Sequence, residues 1–237
     1  DLVARDTAGR LWLYPGNGVG GFKSRRQMGH GWNSMSPIIS PGDITGGGNA
    51  DVLARDLLGR LWLYPGNGAS GLGARRQIGN GWQDYFITNA ANLNGVGRPD
   101  ILAKSRAGIL WLYPLSGNAV FGARTQVAHG LGEVGVYGPG DVSGDGRADV
   151  MTVDTTTRTL LYRGNGMGRV SSGTLVAITW GDVTARVAPG NWDHGAGNDL
   201  IERDDVGVLW LHPGSNAGGF GPRRQIGFGW NSMTSIG

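Results

Sequence analysis

An aspartate returns along this chain every 49 or 50 residues, at Asp1, Asp51, Asp100, Asp149 and Asp199. Two further tracks keep the same step. One is Trp12, Trp62, Trp111, Leu160 and Trp210; the other is Trp32, Trp82, Leu131, Trp180 and Trp230. Three independent tracks in step mean that the chain is five copies of one unit, the fourth being the most divergent. The copies run at about residues 1–50, 51–99, 100–148, 149–198 and 199–237. Such an array counts as a single domain, 1–237, however long it is. The one-residue length changes fall between the second Trp and the next Asp, which puts the variable loop there.

Each copy reads as four strands. In the second copy the first is Asp51–Asp56 (DVLARD). A turn at Leu58–Gly59 leads to Arg60–Gly66, and a glycine-rich loop leads to Ala74–Gly79, followed by Tyr85–Asn92. The first two pieces are apolar on consecutive positions, as suits strands buried on both faces. The third carries the pairs Arg25–Arg26, Arg75–Arg76 and Arg223–Arg224 and reads as an outer edge, where charge discourages edge-to-edge pairing. No segment has helical periodicity. Four short strands at a period of about 40–50 residues describe a propeller blade. The expected fold is therefore all-β, a five-bladed β-propeller with four antiparallel strands per blade. Thr234–Gly237 matches Ser36–Ile39 of the first copy. The chain is thus expected to close its ring by placing its last strand beside its first, so that both termini share one blade.

Gly (46 residues) and Pro (10) make up nearly a quarter of the 237 residues, but nine Trp and the apolar runs argue against disorder,. The chain has no Cys, hence no disulfide and no thiolate metal site,. No run of about 18 apolar residues is present, so no membrane span is expected. The formal charge is +3, and its basic residues are spread through all copies, which does not make a nucleic-acid patch,. Asp1 reads as the start of a processed or trimmed chain.

Two constellations could carry chemistry. The loop Asp141, Ser143, Asp145, Arg147 and Asp149 sets oxygen ligands at alternate positions, with Gly146 for the sharp turn and a backbone carbonyl at Arg147. This is the pattern of a calcium loop holding one Ca²⁺. An aspartate-rich turn capping its own backbone is the other reading. The sister loops have Gly47, Val96 and Gly195 where Asp145 stands, yet keep their first and last positions (Asp43 and Asp51, Asn92 and Asp100, Asn191 and Asp199). A structural role for the terminal Asp is therefore the better general account.

The second constellation is a Trp followed by an amide: Trp32–Asn33, Trp82–Gln83 and Trp230–Asn231. An indole face can stack on a sugar ring while an amide bonds its hydroxyl rim. The preceding Gly-x-Gly, with His30 or Asn80 as its middle residue in the first two copies, lets backbone approach a ligand. Packing between blades is the competing role for the same Trp. Leu131–Gly132 and Trp180–Gly181 lack the amide, so three sites are expected. For the track of Trp12, Trp62, Trp111 and Trp210, packing between blades is the expected role. Trp192, beside Asp193 and His194, reads as an exposed ligand contact or a plug over the channel. The four His show no metal-ligand spacing, and His30 and His129 read as solvated loop residues or ligand contacts. Glu133 and Glu202 are the only glutamates, and no nucleophile elbow or phosphate loop is present. A glycosidase needs two facing carboxylates, whereas the Asp residues here follow the repeat. No catalysis is expected.

The DVSGDGRAD loop (Asp141–Asp149) feeding a DLVARD-type strand, with Phe121–Gly122 and Phe220–Gly221 later in the copy, resembles the FG-GAP/VCBS repeats of extracellular propellers. The segment Ala74–Trp82 (ARRQIGNGW), with five blades and the same starting strand, resembles tachylectin-type five-bladed propeller lectins. That resemblance implies a secreted, monomeric, non-enzymatic glycan-binding protein. Its shallow sites between blades would take N-acetylated amino sugars through His30, Trp32, Asn33, Asn80, Trp82, Gln83, Trp230 and Asn231. The alternative is a non-catalytic propeller module of a larger secreted protein, serving attachment to a protein or a cell wall.

Overall fold

Asp51–Asp56 and Leu61–Tyr64 carry Val, Leu, Trp and Tyr, side chains that favour a pleated, buried surface, and both are strands,. The computed structural model, which describes residues 1–178, 180 and 183–237, gathers such strands into five four-stranded sheets. From the inside out, the first sheet is Met233–Ile236, Leu2–Asp6, Leu11–Tyr14 and Arg26–Gly29. The second is Met35–Gly42, Asp51–Asp56, Leu61–Tyr64 and Arg76–Gly79. The third is Tyr85–Asn89, Ile101–Ser105, Leu110–Tyr113 and Thr125–Ala128. The fourth is Gly135–Gly140, Asp149–Val153, Thr159–Tyr162 and Thr174–Val176, and the fifth Val183–Gly190, Asp199–Asp204, Leu209–His212 and Arg224–Gly227. Every neighbouring pair is antiparallel. The fold is the expected five-bladed propeller.

Each sheet takes its inner strand from the preceding copy, and this is what closes the ring. In the first sheet Val3 and Gly237 exchange two backbone hydrogen bonds, at 2.8 and 2.9 Å. Ala4 lies opposite Ile236 and Arg5 opposite Ser235. The last strand thus covers an edge that would otherwise be left open. The five inner strands surround a channel of about 810 Å³. Pro41, Pro139 and Pro189 stand near the ends of three of them, where a residue without an N–H does not interrupt a ladder, and the pairing shifts register there,.

Five separate apolar clusters fill the five gaps between sheets. Val3, Leu11, Val52, Ala54 and Trp32 meet between the first and second sheets. Leu53, Leu61, Ile101 and Trp82 meet between the second and third. Leu2, Ala4, Ile201, Leu209 and Trp230 join the fifth to the first. Strand Asp51–Asp56 feeds both of its neighbours, which is why Val52, Leu53 and Ala54 are all buried.

Carboxylates hold the loops. Asp51, fully buried, accepts the N–H groups of Ile44 (3.0 Å) and Thr45 (2.9 Å) on Oδ2 and that of Gly66 (2.9 Å) on Oδ1. Asp149 and Asp199 repeat the arrangement with Val142, Ser143 and Gly164, and with Trp192, Asp193 and Gly214. In the third copy Leu115 replaces the glycine and starts a short ribbon, Leu115–Ser116 with Val120–Phe121, where the other copies form only single bridges. There Oδ1 of Asp100 has no hydrogen-bond partner among the described residues. Burial pushes the Asp100 carboxyl up to about 6, against the opposing pull of the Asn94 N–H. A second carboxylate, Asp6, takes the Ala8 and Arg10 N–H groups on one oxygen and the Arg10 guanidinium and Trp12 indole on the other. Asp56 does the same with Leu58, Arg60 and Trp62.

The observed strands are shorter than expected where Gly or Pro intervenes. Leu61–Tyr64 stops before Pro65, and Arg76–Gly79 starts beyond the bend at residues 68–71. Two 3₁₀ turns, Trp32–Ser34 and Trp230–Ser232, add the little helix present.

Two predictions come from these carboxylates. Burial pushes Asp6 and Asp56 up, but the indole, backbone and guanidinium bonds outweigh it and hold both at about 2. Their ordinary value is about 4, so their stabilisation is complete above about pH 4 and is lost as the pH falls towards 2. Asp56→Ala should cost about 2–3 kcal/mol in denaturant melts at pH 7 and should flatten that acid loss. Asp51 and Asp100 should respond oppositely to Asn. Asp51→Asn turns an N–H donor toward backbone N–H groups and should cost about 1–3 kcal/mol. Asp100 is held above its ordinary range, so its charge costs stability above pH 6 and that cost vanishes as the pH falls towards 4,. Asp100→Asn should therefore raise the melting temperature at pH 8 and leave it unchanged near pH 4,. A drop at pH 8 like that of Asp51→Asn would refute the account.

Candidate functional site

The Trp–amide pairs sit where the outer strand of one sheet turns inward to become the inner strand of the next. Trp32 donates its backbone N–H to the Gly9 carbonyl at 3.0 Å, Trp82 to Gly59 at 3.0 Å and Trp230 to Gly207 at 2.9 Å. The connector is thereby pinned to the turn of its own sheet. Gly9 has a φ of 74°, and a Cβ there would come within 2.8 Å of the Asn33 amide, so this turn favours glycine,. Asn231 donates to the Val206 carbonyl at 3.1 Å. All three amides stay exposed, as do His30 and Asn80.

The Trp rings themselves are packing residues. Trp32, Trp82 and Trp230 are each 6% exposed. Each packs on a Tyr of the next sheet: Trp32 on Tyr64 (4.4 Å), Trp82 on Tyr113 (4.6 Å) and Trp230 on Tyr14 (4.3 Å). This differs from the sugar-stacking role, because a ring wedged between sheets has no free face to offer. Of the eight residues singled out for sugar, the five exposed polar ones (His30, Asn33, Asn80, Gln83 and Asn231) remain reachable.

The other Trp track lies nearer solvent. Trp12 and Trp62 pack against inter-sheet clusters, Trp111 and Trp210 are likewise half-buried, and an arginine covers each. Arg25, Arg75 and Arg124 stand 4.2 Å above Trp12, Trp62 and Trp111, and Arg223 stands 4.4 Å above Trp210. Sequence reasoning assigned these arginines only to edge protection. Their fixed place, 24 residues after the repeating Asp, was the available signal. A second missed set is Arg5, Arg55 and Arg203, each four residues after that Asp. Arg55 donates to the Trp82 and Tyr85 carbonyls at 2.8 and 2.6 Å, and Arg5 and Arg203 bond the equivalent carbonyls of Trp32 and Met35, and of Trp230 and Met233. They tie the connector to the sheet it leaves.

Beside the first connector, at the junction of the first and second sheets, lies a cleft of about 190 Å³. Ser34, Asp56, Arg60 and Arg75 supply its polar groups and Met35, Leu57 and Leu58 its apolar ones. It suits a single sugar ring rather than a drug-sized ligand. Thr7, Ala8, Arg10, Arg25 and Ser232 hold the matching places between the fifth and first sheets.

The loop expected to hold calcium closes on itself. Asp141 accepts the Gly144 and Gly146 N–H groups, both at 2.7 Å, Asp145 accepts that of Arg147 at 2.9 Å, and Asp149 accepts those of Val142 and Ser143. Asp43 and Asp51 make the same bonds although Gly47 replaces the middle acid. Among the described residues no three carboxylate or imidazole groups converge on a point. Backbone capping accounts for Asp141, Asp145 and Asp149, while Ser143 Oγ is buried without a hydrogen-bond partner among the described residues.

Trp192 is neither exposed nor a plug. It is 5% exposed and packs against Phe22 at 5.2 Å. It stands in the loop position held by Ile44, Leu93 and Val142 elsewhere, all fully buried. His194 rests against Gly18 of the first sheet's loop. The fifth sheet breaks the repeat with Glu202, fully buried where Ala4 and Ala54 stand. Its carboxylate lies 3.4 Å from His212 and 2.5 Å from Arg223. Burial pushes Glu202 up, and His212 and Arg223 more than offset that, leaving it below its ordinary value. Gly181, expected to mark a site without an amide, lies outside the described residues.

No protein-family model matches the chain, and no curated protein matches it. Among solved structures it is similar to a lectin from Agrocybe aegerita, described in terms of specific recognition of non-reducing terminal N-acetylglucosamine. The identity is 19%, the TM-score 0.55, and the match covers 93% of this chain and 61% of that one. It is also similar to the lectin BP39L from Burkholderia pseudomallei, with 15% identity, a TM-score of 0.57 and coverage of 95% of this chain and 69% of that one. The chain thus spans less than two thirds of the length of the Agrocybe lectin. At these identities the likeness establishes the shared fold, an all-β propeller.

Proposed function

We propose that the protein is a carbohydrate-binding protein, a lectin without catalytic activity, that holds sugars in shallow clefts between adjacent sheets. The cleft at Ser34, Asp56, Arg60 and Arg75 carries this reading. It sets hydrogen-bonding groups of both kinds around a small apolar patch, Met35, Leu57 and Leu58, and a pyranose presents the same mixture of polar rim and apolar face. The exposed amides Asn33, Gln83 and Asn231 recur on the connectors of three junctions and would serve the rims of their clefts. The likeness in fold to two lectins supports the reading, and N-acetylated amino sugars are the first ligands to try, in line with the Agrocybe protein.

Clefts this small and open give weak individual sites. A rigid ring that repeats them at several junctions turns weak sites into strong retention on an arrayed glycan. Catalysis would need two facing carboxylates in a cleft, and Asp56, the one carboxylate here, is held by the Arg60 side chain and the Trp62 indole.

On a glycan array the protein should retain N-acetylglucosamine-terminated structures, with free monosaccharide competing only at about millimolar concentration. Ser34→Phe should fill the first cleft and reduce the number of sites seen by calorimetry, with no change in melting temperature. Retention of no glycan at high protein concentration would sink the proposal, as would release of reducing sugar from labelled oligosaccharides.

A further inference from the structure

The 21 basic residues are spread evenly along the sequence, but the fold neutralises them unevenly. In the fifth sheet both outer arginines meet a carboxylate: Arg223 pairs with Glu202 at 2.5 Å and Arg224 with Asp193 at 2.6 Å. In the first three sheets their counterparts meet neutral oxygens. Arg25 donates to the Tyr14 phenol at 3.0 Å, Arg75 to that of Tyr64 at 3.3 Å, and Arg124 to those of Tyr85 and Tyr113 at 3.0 Å. Arg26 donates to the Ser70 hydroxyl at 2.9 Å and Arg76 to the Asn118 side chain at 3.0 Å. Among the described residues none of these five arginines forms an ion pair. The fourth sheet has Gly173 in the corresponding place.

We infer that the outer rim of the first three sheets is a docking strip for a polyuronate chain, an acidic polysaccharide gripped by its carboxylates. Arg25, Arg75 and Arg124 are held over Trp12, Trp62 and Trp111 by cation–π contact and by bonds to neighbouring phenols. These contacts fix their guanidinium groups before a ligand arrives, so little side-chain entropy is left to lose. A guanidinium presents two parallel N–H groups, which match the two oxygens of a carboxylate. One such arginine stands on each of three successive sheets, so a chain bearing many carboxylates can meet more than one of them,. Nucleic acid fits less well, because the Trp faces that would stack bases are already covered by arginine. The choice of a sugar chain rests on the lectin reading.

Binding of a labelled oligogalacturonate and of the same oligomer with its carboxylates reduced to alcohols tests this. The intact protein should bind the acidic form about tenfold tighter at low salt, and the gap should narrow at physiological salt. Arg75→Gln and Arg124→Gln should each weaken acidic binding about fivefold. Arg75→Lys, which keeps the charge and loses the fork, should weaken it by less. Arg224→Gln, whose charge Asp193 already cancels, should leave it unchanged. Melting temperatures of all four variants identify any that fail to fold. Equal binding of the two oligomers, or an Arg224→Gln effect equal to that of Arg75→Gln, overturns the inference. So does tighter binding of dextran sulfate or single-stranded DNA of equal charge. Retention of neutral glycans without preference for the uronate defeats this inference and spares the lectin reading. A uronate preference without neutral-glycan binding defeats the clefts alone.

Discussion

A carboxylate with no exposed surface, meeting two N–H groups on one oxygen and a third on the other, stands at the head of a strand in the second, fourth and fifth copies. Loops rich in glycine have little apolar surface to bury, so something else must hold them. An ionised acceptor satisfied by several amide donors does so, because hydrogen bonds to a charged group are about twice as strong as neutral ones. It fixes the loop that leads out of the inner strand and the loop that follows the third strand at once. The sheets can then stand at a constant angle and spacing, and five of them close.

Closure distributes the apolar work evenly. Each strand of the Asp51–Asp56 type sends side chains into two different gaps, so no sheet has a solvent face. Arg5, Arg55 and Arg203 then hold the connector at three of the five gaps by bonding its carbonyls. The junction of the fourth and fifth sheets departs from this scheme. Glu202 and His212 replace Ala and Tyr, and the Trp180 indole bonds the Thr159 hydroxyl at 2.7 Å. A buried ion pair is a poor substitute for apolar packing unless its hydrogen bonds are complete, and here one oxygen of Glu202 and one nitrogen of His212 lack a partner among the described residues,. This divergent junction is built differently from its four sisters, which agrees with the sequence drift of the fourth copy.

Much of the site was legible only as position, not as role. The two Trp tracks were visible as tracks, but their depth depends on where the connector lies relative to the sheet. Trp32 falls on a 3₁₀ turn that drives its ring into the gap, whereas Trp12 lies on a strand with its neighbour Arg25 across the ladder toward solvent. Trp192 stands apart when the loops are matched by their acidic residues, and falls into place when they are matched by the buried apolar residue at Ile44, Leu93 and Val142. The calcium pattern at Asp141–Asp149 and the loop Asp43–Asp51, which has Gly47 in place of the middle acid, share the backbone bonds of their first and last Asp, so those two positions alone do not tell a metal loop from a capped turn.

The period of 49 or 50 residues, the four strand-like runs per copy and the offset between the first and last runs determined the propeller, its five sheets and the shared first sheet without any coordinates. Those features follow from periodicity, and periodicity is a property of the chain. Tertiary structure alone decided which Trp is buried, which arginine is neutralised and where a cleft opens. Each of those depends on a partner brought alongside from another strand or sheet, some 20 to 230 residues away in sequence, as with Arg223 and Glu202 or Arg5 and Thr234. A repeat makes the copies alike along the chain, but charge and burial are settled where strands and sheets meet, and single departures such as Glu202 change the balance there.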